Sequence, residues 1–212
     1  MKKITAFFGG SFDPPHTGHL GVARGALQSG FCQKVIWVPA WSQPHKQGKK
    51  TAPYHHRLAM VEWMIKDEKN MAVSDLERRL QLQPSYTFDV LKYFASELPE
   101  EEKPALLIGA DSLLQLHTWH EAVQLARQYT ILTYPRPGRE VSFEALAPFW
   151  PEKTVKKLLS GVMEGSFFEI SSTEIRNSMA KSAETDNINK GNNLLISDRI
   201  REYCRKNGLY EE

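Results

Sequence analysis

The stretch FFGGSFDPPHTGHLG, residues 7–21, sets two histidines three positions apart around Gly18, behind a Gly9-Gly10 pair that closes an apolar run. Glycines at such a place let backbone N–H groups approach an anion closely, and the N-terminus of a following helix favours negative charge. His16 and His19, at the start of that helix, carry ring donors able to grip one phosphoryl group, with Gly18 leaving it room. Taken alone, the same residues also suit a tight turn and a pair of surface or capping histidines. Comparable groups recur along the chain: Ser11, Gln43-Pro44-His45-Lys46, Gly109-Ala110-Asp111-Ser112, Arg136 and Ser171-Ser172-Thr173.

What must position these groups is an alternation of strands and helices. Lys3–Phe8 is a β-branched and aromatic run ending at Gly9, and His19–Ser29 has helical apolar spacing. Strands are predicted at 34–38, 71–74, 105–109, 129–134 and 167–170. Helices are predicted at 54–66, 87–96, 121–128, from about 172 to 180, and at 197–207. The stretch 141–160 looks helical but is interrupted by Pro148 and Pro151, and 181–193 is a polar loop. Short apolar strands alternating with helices make a doubly wound parallel α/β sheet, in which ligands sit beyond the carboxyl ends of the strands. Each polar group above falls at such an end, a coincidence that argues for a shared site.

Composition sets the outer bounds. The chain has 212 residues, 41% apolar and 25% charged, ordinary for a soluble globular protein and enough for one substantial core. No apolar run approaches a membrane span, and no signal-peptide pattern opens the chain. The two cysteines, Cys32 and Cys204, have no motif spacing and read as reduced thiols, so the expectation is a cytoplasmic protein. The net charge of +2 does not argue for a nucleic-acid partner. Between Asp13 and Glu62, however, Arg24, Lys34, Lys46, Lys49, Lys50 and Arg57 occur with no acidic residue. Such a run is either a solvated basic face or the local positive field of a small polyphosphate site.

The motifs GGSFDPPHTGH, at 9–19, and ISSTEIR, at 170–176, resemble the two signatures of the nucleotidyltransferase superfamily, G-x-F-D-x-x-H-x-G-H and I-S-S-T-x-I-R. Within it the chain is similar to the bacterial nicotinate-nucleotide adenylyltransferase family. That similarity extends to VPAWSQPHK, SYTFDVL at 85–91, LLIGADSLLQLHTWHEA at 106–122, RPG at 136–138 and the terminal NGLY. Phosphopantetheine adenylyltransferases share the first motif but are shorter and lack the GADSLL…W segment. The resemblance implies a Rossmann-like nucleotidyltransferase fold over residues 1–212 as one domain, the part from about 170 carrying the second signature and closing helices. Residues 141–166 and 181–193 match no pattern of the family.

The implied reaction joins ATP and nicotinate mononucleotide into nicotinate adenine dinucleotide, a precursor of NAD, releasing pyrophosphate. The nucleotide's own 5′-phosphate is the nucleophile. No Cys or Ser here stands beside an obvious base, so catalysis would be positioning plus stabilisation of phosphoryl charge. The resemblance implies that His16 and His19 contact the ATP phosphates, His19 steadying the transition state, with Gly9, Gly10 and Ser11 alongside. Lys46 would reach over as a mobile cation, and Ser172, Thr173 and Arg176 would hold the β- and γ-phosphates. Gly109 and Arg136 would also border ATP. Trp119 would stack on the pyridine ring, a buried core tryptophan being the other reading of that residue. The nicotinate carboxylate would meet backbone N–H groups near Thr87 and at Trp119-His120, and Asp111 would accept from a ribose hydroxyl. His120 replaces the tyrosine that many relatives carry, which preserves a main-chain contact but not a side-chain one. Asp13 would hold its loop through backbone N–H groups, and His55 and His56 would lie at the surface. Mg²⁺ is expected on the phosphate oxygens, with no protein ligand. Nucleic-acid and membrane partners are not expected, and homo-oligomerisation stays open. The competing readings are nicotinamide mononucleotide as acceptor, or a nucleotide sensor without turnover.

Overall fold

The computed structural model describes residues 2–41, 51–165, 171–183 and 195–210. Five parallel strands, β1 (Lys3–Gly10), β2 (Lys34–Pro39), β3 (Met71–Val73), β4 (Glu102–Gly109) and β5 (Thr130–Tyr134), make a sheet in the order β3-β2-β1-β4-β5. Helices α1 (Thr17–Gln28), α2 (Tyr54–Ile65), α3 (Leu76–Leu80), α4 (Thr87–Glu97), α5 (Ala110–Leu114) and α6 (Ala122–Gln128) lie in the crossovers. Beyond β5 come α7 (Phe143–Leu146), α8 (Glu152–Leu159), α9 (Ser172–Ala183) and α10 (Asp198–Lys206). This is the doubly wound α/β fold that the alternation predicts. The strand order reverses between β1 and β4, so their carboxyl ends border the crevice where such sheets take ligands.

The strands read as continuous apolar runs because both faces are covered. Phe7, Ile36, Leu106 and Ile131 turn to one side, against Val90, Leu91 and Phe94 of α4 and Leu125 of α6. Their neighbours Ala6, Phe8, Trp37, Leu107 and Leu132 turn to the other, against Val22 and Ala23 of α1 and Val61 of α2. Each fully buried Leu or Ile here contributes roughly 1.5–3 kcal/mol by removal from water. A third cluster packs Met60 of α2 against Ile175 of α9, Ile200 and Cys204 of α10, and Leu209. That contact brings the second signature to the carboxyl edge of the sheet.

Several boundaries differ from the sequence expectation. Helix α1 starts at Thr17 rather than His19, because His16 takes the N-cap with an extended backbone. Strand β1 runs on through Gly9 and Gly10, which pair with Val38 and Pro39, so the glycines belong to the sheet rather than to a free loop. The short helices α3 and α5 fall where apolar periodicity over a few residues is too brief to register. Pro148 and Pro151 split 141–160 into α7 and α8, and the segment after α8 runs beside β5, with Met163 N–H donating to Thr133 O at 2.8 Å. The strand expected at 167–170 lies outside the described residues, as does the polar loop apart from 181–183, which belong to α9. Cys32 and Cys204 are free and sit in different clusters, burial pushing their thiols up to about 11 and about 12. Among the described residues no helix is long and apolar enough to cross a membrane.

Candidate active site

After Gly10 the chain leaves the sheet through Phe12, a buried residue at φ 48°, and a cis Asp13-Pro14 peptide that leads to His16. A Cβ at Gly10 would stand 3.0 Å from the buried Phe12 ring, so a larger residue there would have to push that ring aside by a few tenths of an ångström. His16 N–H donates to His19 Nδ1 at 3.3 Å, and the two imidazoles lie 3.7 Å apart, tilted by 32°. That bond assigns the neutral His19 ring the tautomer with hydrogen on Nε2. The reciprocal approach of the His16 ring to the helix falls short of a hydrogen bond, so His16 Nδ1 is buried with no partner among the described residues. Burial, and then the positive charge of Arg136, hold the His16 pKa down at about 4. The back of His19 is packed by Phe12 at 5.1 Å, with Trp37 behind it at 6.5 Å.

Helix α9 supplies a second wall. Ser171 and Glu174 cap it reciprocally: Glu174 N–H donates to Ser171 Oγ at 3.1 Å and Ser171 N–H to Glu174 Oε2 at 3.2 Å. Ser172 Oγ donates to Pro14 O at 3.0 Å. Arg176 donates to Asp13 O at 2.6 Å and to Thr173 Oγ1 at 3.1 Å. The second signature is therefore fastened directly to the first. Asp13 has the loop-holding part expected of it: its Oδ1 accepts from Ala52 N–H at 3.0 Å and from the Tyr210 hydroxyl at 2.5 Å.

Beside this wall, at the carboxyl ends of β1 and β4, opens a cleft of about 800 Å³. Gly9, Gly10, Ser11, Thr87, Asp111, Trp119 and His120 line it, which joins the groups expected to bind the mononucleotide. Thr87 occupies the first position of α4, where backbone N–H groups have no intrahelical partner. Trp119 is half-buried: it packs on the apolar core, as the core reading has it, and it also reaches the cleft. Its own N–H is committed to Leu116 O at 3.0 Å, which leaves the main-chain donor of His120 rather than both. The His120 ring stacks on Tyr86 at 4.3 Å. Gly109 caps α5 behind the cleft, and a Cβ there would stand 2.9 Å from the Tyr134 ring. Asp111 is paired with Arg136 at 3.0 Å and Arg139 at 2.8 Å, so its carboxylate balances two guanidinium groups before any ribose approaches. Arg136, close enough to lower the His16 pKa and bonded to Asp111, ties the cleft to the histidine pair.

Lys46 lies outside the described residues, as do Lys49 and Lys50. The rest of the basic run does not supply positive charge in the way its density suggests. Arg24 is exposed and paired with Glu68, Lys34 opens β2 at the far edge, and Arg57 is buried in a structural clamp. Charge along the chain does not say which end of a strand it will occupy. Arg57, only 3% exposed, donates to Ser11 O, Ala40 O and Ala52 O at 2.8, 2.8 and 3.0 Å, tying three turns of this edge together. Glu77 likewise accepts from Trp41 N–H at 2.9 Å and Ser85 Oγ at 3.0 Å, and burial raises its pKa. Sequence reasoning missed Arg57 in this part, and Glu77, Tyr86, Arg139 and Tyr210 altogether. The motifs SYTFDVL and NGLY contain Tyr86 and Tyr210, and RPG directly precedes Arg139, which was the local hint for each. His55 is exposed as expected, whereas His56 is half-buried and hydrogen-bonded to Tyr203.

Among the described residues no group of three His, Cys, Asp or Glu could hold a metal ion. The carboxylates of Asp111 and Asp13 are engaged by arginines, a backbone N–H and a phenol.

Residues 7–178 match a family model described as Cytidylyltransferase-like. A nicotinate-nucleotide adenylyltransferase of Bacillus subtilis is 32% identical over 211 residues, covering 100% of both chains. A probable nicotinate-nucleotide adenylyltransferase of Symbiobacterium thermophilum is 42% identical over 142 residues, 67% of each chain. The solved nicotinic acid mononucleotide adenylyltransferase of Plasmodium falciparum, complexed with APC, superposes with a TM-score of 0.72 at 19% identity, covering 99% of this chain and 98% of that one. It bears on the fold alone. With both signatures intact and joined at one sheet edge, the chain belongs to the Cytidylyltransferase-like family and, within it, to the nicotinate-nucleotide adenylyltransferases.

Proposed function

We propose that this protein transfers the adenylyl group of ATP to nicotinate mononucleotide in the cytoplasm, giving nicotinate adenine dinucleotide and pyrophosphate. A 5′-phosphate oxygen of the mononucleotide attacks the α-phosphorus. The bond from that phosphorus to the oxygen bridging to the β-phosphorus breaks, and pyrophosphate leaves with the electron pair. The observation that carries this reading is the fastening of the ISSTEIR helix to the histidine loop, beside a cleft that reaches Trp119.

His19, donating from Nε2, steadies the α-phosphoryl oxygens, and His16 stands behind it as a neutral imidazole. Removing one such donor costs roughly 2.7–4 kcal/mol in the barrier. Gly9, Gly10 and Ser11 border the reacting phosphates, Ser172, Thr173 and Arg176 hold the leaving pyrophosphate, and Lys46 reaches over from its loop. Gly109, Asp111 and Arg136 border the ATP ribose and phosphates. Trp119 stacks on the pyridine, while the first turn of α4 at Thr87 and the His120 N–H receive the nicotinate carboxylate, as a helix N-terminus favours. Mg²⁺, carried in with the ATP, would supply further neutralisation of phosphate charge. Purified protein with ATP, Mg²⁺ and either mononucleotide, followed by pyrophosphate release, tests the assignment. Turnover with the acid is expected, and His19→Ala is expected to lose kcat by orders of magnitude while folding. Faster turnover of the amide overturns the acceptor, and ATP binding without pyrophosphate overturns the transfer.

A further inference from the structure

The loop from Asp13 to Thr17 is held by residues far along the chain. Ser172 Oγ donates to Pro14 O, Arg176 to Asp13 O, and Thr17 N–H to Leu195 O at 2.9 Å. A further contact is made by Tyr210, whose hydroxyl donates to Asp13 Oδ1 at 2.5 Å. The other oxygen of that carboxylate faces the Arg176 guanidinium at 3.8 Å. We infer that Tyr210 is a positioning residue for the phosphate-binding wall, steadying the Asp13 carboxylate so that Arg176 and the His16-His19 loop keep their places. The inference rests on the adenylyl-transfer reading above.

The surroundings of Tyr210 are built to hold it. Leu209 N–H closes the end of α10 on Cys204 O at 2.9 Å, and the Leu209 side chain is buried with Ile196, Ile200 and Met60. Gly208 at φ 59° and Tyr210 at φ 68° turn the chain back toward Asp13. A non-glycine residue in the left-handed region persists where its surroundings over-determine it. Burial, and then the Asp13 charge, push the phenol pKa up, so the hydroxyl stays a donor.

Without the hydroxyl, Asp13 keeps Ala52 N–H and the Arg176 charge. The carboxylate then draws Arg176 toward itself, in competition with ATP. The chemistry at the pyridine end of the cleft is untouched. A merely structural tyrosine would lower stability and change both substrates alike.

The test compares Tyr210→Phe with Tyr203→Phe. Tyr203 is a phenol on the same segment whose hydroxyl meets His56 Nδ1 at 2.8 Å, away from Asp13. Both variants keep their rings, and thermal unfolding checks that both fold. Tyr210→Phe is expected to raise the KM for ATP and the inhibition constant for pyrophosphate about tenfold, the scale of one charge-assisted hydrogen bond. The KM for the mononucleotide is expected to stay within about twofold, the scatter of a distant site. Tyr203→Phe is expected to change none of the three. Unchanged ATP and pyrophosphate constants in Tyr210→Phe, or equal changes in both variants or for both substrates, overturn the inference. If the wild type binds ATP without turnover, the adenylyl-transfer reading fails, while the ATP dissociation constants of the two variants still decide the part of Tyr210.

Discussion

Replacing His16 by Asn should change how stability depends on pH more than it changes stability at neutral pH. The imidazole titrates at 6.5 when free and at about 4 in the fold, where burial and Arg136 disfavour its charge. Between those values the unfolded chain binds a proton that the native state refuses, so native stability rises with pH across the window. Above the free value the ring is neutral in both states and this contribution is complete. As pH falls from 6.5 toward 4 it is lost, and below 4 the loss is total. At about 1.4 kcal/mol per pKa unit the full loss is roughly 3 kcal/mol, of which ~2.5 kcal/mol has gone by a pH of about 4.5. Urea unfolding of wild type and His16→Asn at pH about 7 and about 4.5 isolates the term, because every other group titrates alike in both. The variant is expected to lose ~2–3 kcal/mol less than wild type over that interval, whatever its offset at neutrality. Parallel losses, within about 0.5 kcal/mol, would refute the claim that His16 is buried as a neutral ring beside a guanidinium.

Trp119→Ala should raise the mononucleotide KM about tenfold, from loss of ~1–1.5 kcal/mol of ring stacking, with a much smaller effect on ATP; equal effects on both would remove Trp119 from the pyridine site. Arg57→Met should cost about 3 kcal/mol in urea unfolding, since Ser11, Ala40 and Ala52 carbonyls each lose a buried donor. A loss under about 1 kcal/mol would mean the clamp is replaced by water. Gly109→Ala should cost ~1–3 kcal/mol in thermal unfolding, because its Cβ would meet the Tyr134 ring at 2.9 Å. An unaltered Tm there would show that the ring swings aside freely.

What the sequence made legible was local. His16 and His19 are three apart, and their ring contact and shared hydrogen bond follow from the N-cap and first turn of one helix. The doubly wound fold was visible because strands covered on both faces are unbroken apolar runs, such as Ala105–Ile108. What stayed hidden depends on long-range pairing. Nothing near Arg57 announces that its partners include Ser11, 46 residues earlier, and Glu77 meets Trp41 across 36 residues. The carboxylate of Asp111 looked available because Arg136 and Arg139 come from another strand end, and their charge is invisible to local reading. The 141–160 stretch looks helical with two interrupting prolines, and those prolines do split it, but the course of the residues after it beside β5 comes only from the packing.

The loop that carries the histidines has a temporal consequence. Its holding partners Ser172, Arg176, Leu195 and Tyr210 lie 158, 163, 178 and 197 residues beyond the groups they bind. During synthesis the sheet core from β1 to β5 is complete in sequence at Tyr134, long before any of those partners has been made. Contacts of such separation close slowly, because their loop entropy is lost before they contribute. A nascent chain therefore has all five strands of its sheet in hand while the partners of its histidine loop are still unmade. Such a chain lacks the contacts that hold its histidine loop until its last helix docks.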